Sequence, residues 1–472
     1  MDNLPTDRKL KKPSRAWVRP FKDGSGARYQ QIARQIIGAV QDGVLRPGDR
    51  LPPQRDLAQA MGVDLTTVTR AYSEVRLAGL LDAHGAGGTF IATSATDGVK
   101  TVDLSMNIPP LLASPAFARL MESGMTHVRD QLSRGELMSY HVGVGSRSDR
   151  EAAAAWLEPA MGRVCADRVV VCPGAQSALA ALLLAHSQQG DVIASDSLTY
   201  PGFLAVARVL RRTVAPVASD QDGMMPDALD ELCRQRPPRI IYLVPTIHNP
   251  TAVSMPHQRR EDLYAVASRH GVPIIEDDPY WLLAGDAAPP IATLQASTQG
   301  ASVFYVSTLS KCLAPGLRTA YLIVPSNEPL EPILDALRSV TLMAPQAMVS
   351  MATRWIREGL AREMLLKIRQ ELAQRQKLAA RILPRILQAH PHGLHLWLSL
   401  PRKLDQYRLI QAAQAQDLGV ASSDAFSVED LPPHAIRVSL GGAASMSRLK
   451  TALETLAEIL TQEQLPRRSA IV

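Results

Sequence analysis

Along the first hundred residues the apolar positions recur at helical spacing. Ile32, Ile36 and Val40 repeat every four residues after Arg28, which predicts an amphipathic helix ended by Gly43. A short extended piece, Arg50-Leu51-Pro52, leads to a second helix from Arg55 to Met61, with Leu57 and Met61 inward and Gly62 closing it. Asp64 then offers an N-cap to a third helix reaching about Ala78. On that helix Val68, Tyr72 and Val75 suit the buried side, while Thr66, Thr67, Arg70 and Ser73 fall opposite. Two β-prone pieces follow, Leu80-Leu81-Asp82 and Thr89-Phe90-Ile91, divided by His84-Gly85-Ala86-Gly87-Gly88, whose glycines permit a tight turn. The pattern predicts a winged helix-turn-helix. Residues 93–103 are small, polar and aperiodic and read as a linker, so the expected domains are 1–92 and 104–472.

Beyond the linker the period changes. Short apolar runs alternate with longer helical patterns: 168–171, 191–194, 240–244, 273–275 and 303–306. This is the pattern of an α/β domain with buried, mostly parallel strands, in which a ligand sits outside the carboxyl ends of the strands. Polar residues cluster at those ends. Gly174, Ala175 and Gln176 follow the first run, Asn249 the third, Asp277 ends the fourth, and Lys311 follows the fifth.

Composition narrows the function classes. With 472 residues, 46% of them hydrophobic, and a net charge of +6, the chain is folded but too long for one core. Residues 1–100 hold 15 Lys+Arg against 10 Asp+Glu, while the remainder holds 36 against 35, so nearly all the net charge is N-terminal. It is densest in an arm of Arg8, Lys9, Lys11, Lys12, Arg15, Arg19 and Lys22, which suits a polyanion. Short hydroxyls and an arginine near a helix N-terminus, as at Thr66, Thr67 and Arg70, suit phosphate and base-edge contacts in a major groove. Cys165, Cys172, Cys233 and Cys312 lack the close pairing of a zinc site, so no metal is expected, and reduced thiols fit a cytoplasmic protein. No apolar run predicts a signal peptide or a membrane span.

The strand-end residues have a common chemical use if the ligand is an aldehyde bearing a phosphate and a pyridine ring. Lys311 can form a Schiff base once its pKa is lowered enough to expose the neutral amine. Asp277 can pair with a protonated ring nitrogen, and Asn249 with Tyr280 can bond the ring hydroxyl. Ala175 and Gln176 open an apolar helix whose N-terminus can hold the phosphate, with Thr308, Ser310 and Arg318 around it. Tyr200 can stack on the ring face.

Two resemblances rest on these residues. The run 51–58 (Leu-Pro-Pro-Gln-Arg-Asp-Leu-Ala), with Gly62-Val63, Thr66-Thr67-Val68, Gly79-Leu80 and Gly88-Thr89-Phe90, resembles the DNA-binding domain of GntR-type bacterial regulators over roughly residues 28–92. That resemblance implies DNA contacts at Arg55, Thr66, Thr67, His84 and Gly85. Leu65 and Thr69 stand where many members carry arginines, which shifts the expected contacts toward Arg70 and the basic arm. The motifs His248-Asn249-Pro250-Thr251, Glu276-Asp277-Asp278-Pro279-Tyr280 and 307–318 around Lys311 resemble fold-type I pyridoxal-phosphate aminotransferases over about residues 104–460. This implies pyridoxal 5'-phosphate as cofactor, a smaller C-terminal subdomain, Lys311 as the Schiff-base lysine and Arg437 as the carboxylate-binding arginine. It further implies that Tyr140 reaches the phosphate of a neighbouring subunit, hence a homodimer.

A GntR-like winged helix joined to an aminotransferase-like domain resembles the MocR-type regulators. The expectation is a transcriptional regulator that binds a double-stranded DNA operator and senses pyridoxal phosphate or an amino compound. The alternative is an active aminotransferase with a vestigial DNA-binding domain, since Lys311, Asp277 and Arg437 would support at least half a transamination.

Overall fold

The computed structural model describes residues 17–21, 26–41, 44–45, 48–77, 80–83, 88–91, 101–110, 115–135, 138–141, 143–297, 300–384, 386–400, 404 and 406–461. The chain divides into two compact units, Met1–Lys100 and Thr101–Val472.

In the first unit the three helices are Arg28–Gln41, Gln54–Met61 and Leu65–Leu77. Ile32, Ile36, Leu57, Val68, Tyr72 and Val75 are fully buried together, because the four-residue and three-residue spacings place them on facing stripes. Gly62 closes the second helix in the left-handed conformation, at φ 62. The backbone carbonyl of Asp64 accepts from the amides of Thr67 and Val68 and so starts the third helix. Tyr72 stays buried because its hydroxyl donates to the Pro52 carbonyl at 2.8 Å, which ties the third helix to the extended piece before the second. The wing is an antiparallel pair, Leu81–Ala83 with Thr89–Ile91, in which Leu81 faces Ile91. Asp49 to Leu51 runs alongside as a third rung, bonded to Thr89 and Ile91. Gly43, His84, Gly85 and, except for Arg19, the basic arm lie outside the described residues.

The second unit is built on a seven-stranded sheet. Its order is Val169–Cys172, Ala320–Ile323, Val303–Thr308, Ile274–Asp277, Ile240–Leu243, Val192–Asp196, Thr213–Val217. All neighbours are parallel except where Ala320–Ile323 inserts antiparallel between Val169–Cys172 and Val303–Thr308. The five apolar runs are therefore strands, and two further strands join them. Thr213–Val217 escaped the hydrophobic pattern because it is an edge strand, half exposed and carrying Pro216, which an edge tolerates. Helices flank the sheet, among them Ala175–His186, packed under Glu331–Val340.

A second, antiparallel sheet, Ile386–Ala389, His395–Ser399, Ala435–Ser439 and Ala421–Ser422, forms the smaller subdomain with helices Gln406–Ala415 and Met446–Thr461. The reading of residues 93–103 as linker needs one correction at its end. Thr101, Val102 and Asp103 belong to the large unit, because Val102–Asp103 pairs in parallel with Leu418–Gly419 of the small subdomain. Two residues are too few to carry a period.

Removing the Tyr72 hydroxyl tests the tie in the first unit. Tyr72→Phe in the full chain is expected to destabilise that unit by about 1 kcal/mol, a roughly fivefold rise in hydrogen exchange of the Leu65–Leu77 amides. Unchanged exchange would show that the bond contributes nothing.

Candidate active site and DNA-facing residues

Three consecutive carboxylates end the central strand, and the fold sends them to different tasks. Glu276 points away from the site, accepts from the backbone amides of Ile291 and Ala292 at 2.9 Å each, and lies 3.7 Å from the buried Arg260. Asp278 accepts from the Thr246 hydroxyl at 2.8 Å and the Trp281 amide at 3.0 Å. Asp277 alone keeps a free oxygen: its Oδ2 accepts from the Tyr242 hydroxyl at 2.7 Å, while its Oδ1 is buried without a hydrogen-bond partner. Burial pushes the Asp277 carboxyl up to about 7, against the Tyr242 bond. A cationic ring nitrogen at Oδ1 would satisfy the orphaned oxygen and return the group to its ionised form.

Lys311 lies at the end of the next strand, on the one-turn helix Leu309–Cys312 that Thr308 caps by accepting from the Ser310 amide. Its amine donates to the backbone carbonyl of Asn107 at 2.6 Å. Burial, then the positive charge of Arg437, lowers its pKa to about 8, with Asp277 pulling the other way. The amine is thus neutral in useful proportion near neutral pH, as nucleophilic attack on a carbonyl requires.

A second group of candidate residues lies across the adjoining strand ends. The helix Ala175–His186 begins after Gly174 with no side chain capping its first amides. Gly174 has φ 94, a conformation that side-chain-bearing residues rarely adopt and that favours glycine, and the Arg318 guanidinium packs directly against it. Arg318 itself sits at φ 44, a left-handed conformation that costs a non-glycine residue about 1 kcal/mol or more. That conformation sets its guanidinium beside Gly174, 3.4 Å from the Pro173 carbonyl. Gln176 donates to the Gly202 carbonyl at 2.7 Å and accepts from the Tyr200 hydroxyl at 3.1 Å, so Tyr200 is held rather than free to swing. Thr308 and Ser310 are both buried on the lysine side.

The small subdomain contributes Arg437. Its guanidinium donates to Asn249 Oδ1 at 2.6 Å and to the Ser105 carbonyl, and stacks 4.7 Å over the Phe426 ring. Burial lowers its pKa to about 10. With the Asn249 oxygen so engaged, the amide nitrogen of Asn249 is the group left for a ring hydroxyl.

The sequence reading missed Asn107, Tyr242 and His395. Asn107 Nδ2 donates to Tyr280 Oη at 3.0 Å and faces His395 Nδ1 at 2.8 Å, and its Oδ1 accepts from Ser439 at 2.9 Å. Since an amide nitrogen only donates, His395 Nδ1 is the acceptor, and Nε2 carries the proton toward the His248 carbonyl at 3.1 Å. Burial, then the Arg437 charge, lowers the His395 pKa to about 3, so the ring is neutral. Asn107 lies in coil and Tyr242 inside an apolar strand, so neither carried a local signal.

Tyr140 is 77% exposed, outside this cluster. In the first unit Arg55, Thr66 and Arg70 are exposed and Thr67 half-buried, on the side of the helices away from the core. The Arg70 guanidinium lies 4.0 Å over the Tyr29 ring, so it is held in place by a cation–π contact.

Comparison with known proteins matches both units. Residues 99–456 match aminotransferase class I and II, and residues 28–91 match the bacterial regulatory proteins of the gntR family. The chain is 28% identical to YdeF of Bacillus subtilis, an uncharacterized HTH-type transcriptional regulator, over 92% of this chain and 94% of YdeF. It is 25% identical to the probable rhizopine catabolism regulatory protein MocR of Rhizobium meliloti, over 84% of this chain and 86% of that protein. Among solved structures, the α-aminoadipate aminotransferase LysN of Thermus thermophilus, complexed with N-(5'-phosphopyridoxyl)-L-leucine, aligns with a TM-score of 0.68 at 23% identity. That alignment covers 82% of this chain and 98% of LysN.

The depressed Lys311 pKa sets a measurable pH dependence. Imine formation with added pyridoxal phosphate, followed by absorbance, is expected to speed up as pH rises through about 8 and to level off above it. Lys311→Ala should abolish the band; a band that persists in that variant would refute the assignment.

Proposed function

Because the chain belongs to the aminotransferase class I and II family and carries a gntR-family domain ahead of it, the build of the MocR-type transcriptional regulators, we propose that it couples occupancy of the Lys311 site to operator binding. It is a DNA-binding transcriptional regulator with pyridoxal 5'-phosphate as its cofactor. When bound, that cofactor supplies an aldehyde for the Lys311 amine and an electron-withdrawing ring. The protein's part is to hold it: Asp277 at the ring nitrogen, Asn249 and Tyr280 at the ring hydroxyl, Tyr200 against the ring face. Ala175, Gln176, Thr308, Ser310 and Arg318 surround the phosphate.

Arg437 carries the reading of what is sensed. Its guanidinium is buried with no carboxylate at ion-pair distance among the described residues, and its Nε lacks a hydrogen-bond partner. A buried cation with no carboxylate at ion-pair distance, beside a reactive amine, suits a ligand that carries an amine and a carboxylate together. The effector is therefore an amino compound, or the cofactor itself where DNA binding follows cofactor loading alone. Such a ligand changes DNA affinity only through unequal binding to two arrangements of the chain.

We place this regulator in the cytoplasm as a homodimer. Tyr140 and Met138, 77% and 78% exposed, fit a segment that reaches toward the site of a second copy. Two reading heads then meet a repeated or inverted operator and gain affinity through effective concentration. Arg55, Thr66, Thr67 and Arg70, with His84 and Gly85 of the wing, make the DNA contacts in this reading. One observation favours a second reading, an aminotransferase with a vestigial reading head: Lys311, Asp277 and Arg437 are all present in one site.

DNA binding separates the two. Cofactor-loaded protein is titrated, across a salt series, onto labelled DNA from upstream of its own coding region and onto random DNA. Selective binding that shifts roughly 5- to 150-fold when the cofactor is removed is the expected result. Equal, weak binding to both DNAs with measurable amino-group transfer would favour the enzyme. Arg55→Ala is expected to weaken binding and to lower the salt slope by about 1, as for a lost phosphate contact, with cofactor loading unchanged. An unaltered slope would remove Arg55 from the interface.

A further inference from the structure

The two basic side chains of the site, Lys311 and Arg437, both donate to the stretch of chain that follows the DNA-binding unit. The unit boundary falls between Lys100 and Thr101. Five residues on from Lys100, the Ser105 carbonyl accepts from Arg437; seven residues on, the Asn107 carbonyl accepts from Lys311 at 2.6 Å. Both acceptors are backbone atoms, so any ligand that withdraws either donor acts on the main chain itself. We infer that Ser105–Asn107 is the segment that reads the site, giving up its bonds to Lys311 and Arg437 when cofactor and carboxylate bind, within seven residues of the unit boundary. The inference rests on the assignment of Lys311 to pyridoxal phosphate and adds which backbone atoms respond to occupancy.

Other bonds hold the flanks of the segment and do not involve the site's two donors. Upstream, the Leu104 amide donates to the Gly419 carbonyl at 2.8 Å and the Leu104 carbonyl accepts from the Ser439 amide at 2.7 Å. Asp103 Oδ1 accepts from the Ser105 amide at 2.7 Å, the Ser105 hydroxyl at 2.6 Å and the Met106 amide at 3.2 Å, which sets the turn. Gly441 and Gly442 lie against the carbonyls of Ile108 and Asp103 so closely that a Cβ on either would clash with backbone. Downstream, the Asn107 side chain is anchored to Tyr280, His395 and Ser439.

The two donors respond to different parts of a ligand. If the neutral Lys311 amine condensed with the cofactor's aldehyde, both its hydrogens would leave with the carbonyl oxygen as water, and the amine bond to Asn107 would be given up. When a ligand carboxylate reaches Arg437, it competes for the guanidinium hydrogens now given to Ser105. Loss of either bond leaves a carbonyl of the segment without that donor.

Hydrogen exchange of the peptide spanning residues 101–110, read by mass spectrometry in the full chain, tests this with two probes. Pyridoxal phosphate alone withdraws Lys311, whereas N-(5'-phosphopyridoxyl)-L-alanine lacks the aldehyde and addresses Arg437. Each is expected to speed exchange of the segment by about tenfold. Lys311→Ala should erase the response to pyridoxal phosphate and keep that to the adduct, and Arg437→Gln should do the reverse. If absorbance shows the cofactor bound while exchange is unchanged or slowed, the inference is overturned and the cofactor assignment stands. If the cofactor does not bind at all, both fall together.

Discussion

Everything at the site follows from burying charge at strand ends without full compensation. Asp277, Lys311 and Arg437 share one desolvated region, and burial is the first cause of the shift in each of their pKa values. An apolar site would leave the lysine protonated only if a counter-ion faced it, and a solvated site would leave it protonated regardless. Here the lysine is held by a neutral carbonyl and opposed by an arginine, so its neutral form is within reach. The unsatisfied oxygen of Asp277 and the buried guanidinium of Arg437, with no carboxylate at ion-pair distance among the described residues, suit a cationic ring nitrogen at one end and an anion at the other.

The polar network that holds these charges is satisfied wherever it is structural. Asn107 spends both its amide hydrogens and its oxygen on Tyr280, His395 and Ser439, which joins the large sheet to the small one. Glu276 and Asp278 are absorbed by backbone amides, a hydroxyl and Arg260. Buried polar groups paired in this way hold the frame in which Lys311 and Arg437 sit. In the DNA-binding unit the same rule holds on a smaller scale, where the Tyr72 hydroxyl finds the Pro52 carbonyl.

Much of this was legible beforehand. The helix spacings of Ile32-Ile36 and Val68-Tyr72-Val75 place the core of the first unit, and five apolar runs place five strands of the sheet. The departures are instructive. The strand at the edge carries a proline and half-exposed positions, and Val102–Asp103 is too short to show a period, so both lay below what alternation reveals. The sequence reading put Asp277 at the ring nitrogen, and the fold supplies the physical reason that its neighbours are otherwise engaged. Strand alternation turns Glu276 away, and Thr246 and the Trp281 amide take up Asp278.

By itself the sequence determined the two modules, the residue types at the strand ends and the faces of the helices, because these depend on residue type and on periods of a few residues. Tertiary structure alone decided who meets whom across the chain. Lys311 finds a carbonyl 204 residues away and Arg437 one 332 residues away, on a coil with no periodic signature. Such pairings are set by the order of strands in two sheets and by how closely glycines let the backbone approach. Their energy comes from desolvation, which depends on the whole surrounding fold and on no local run of residues.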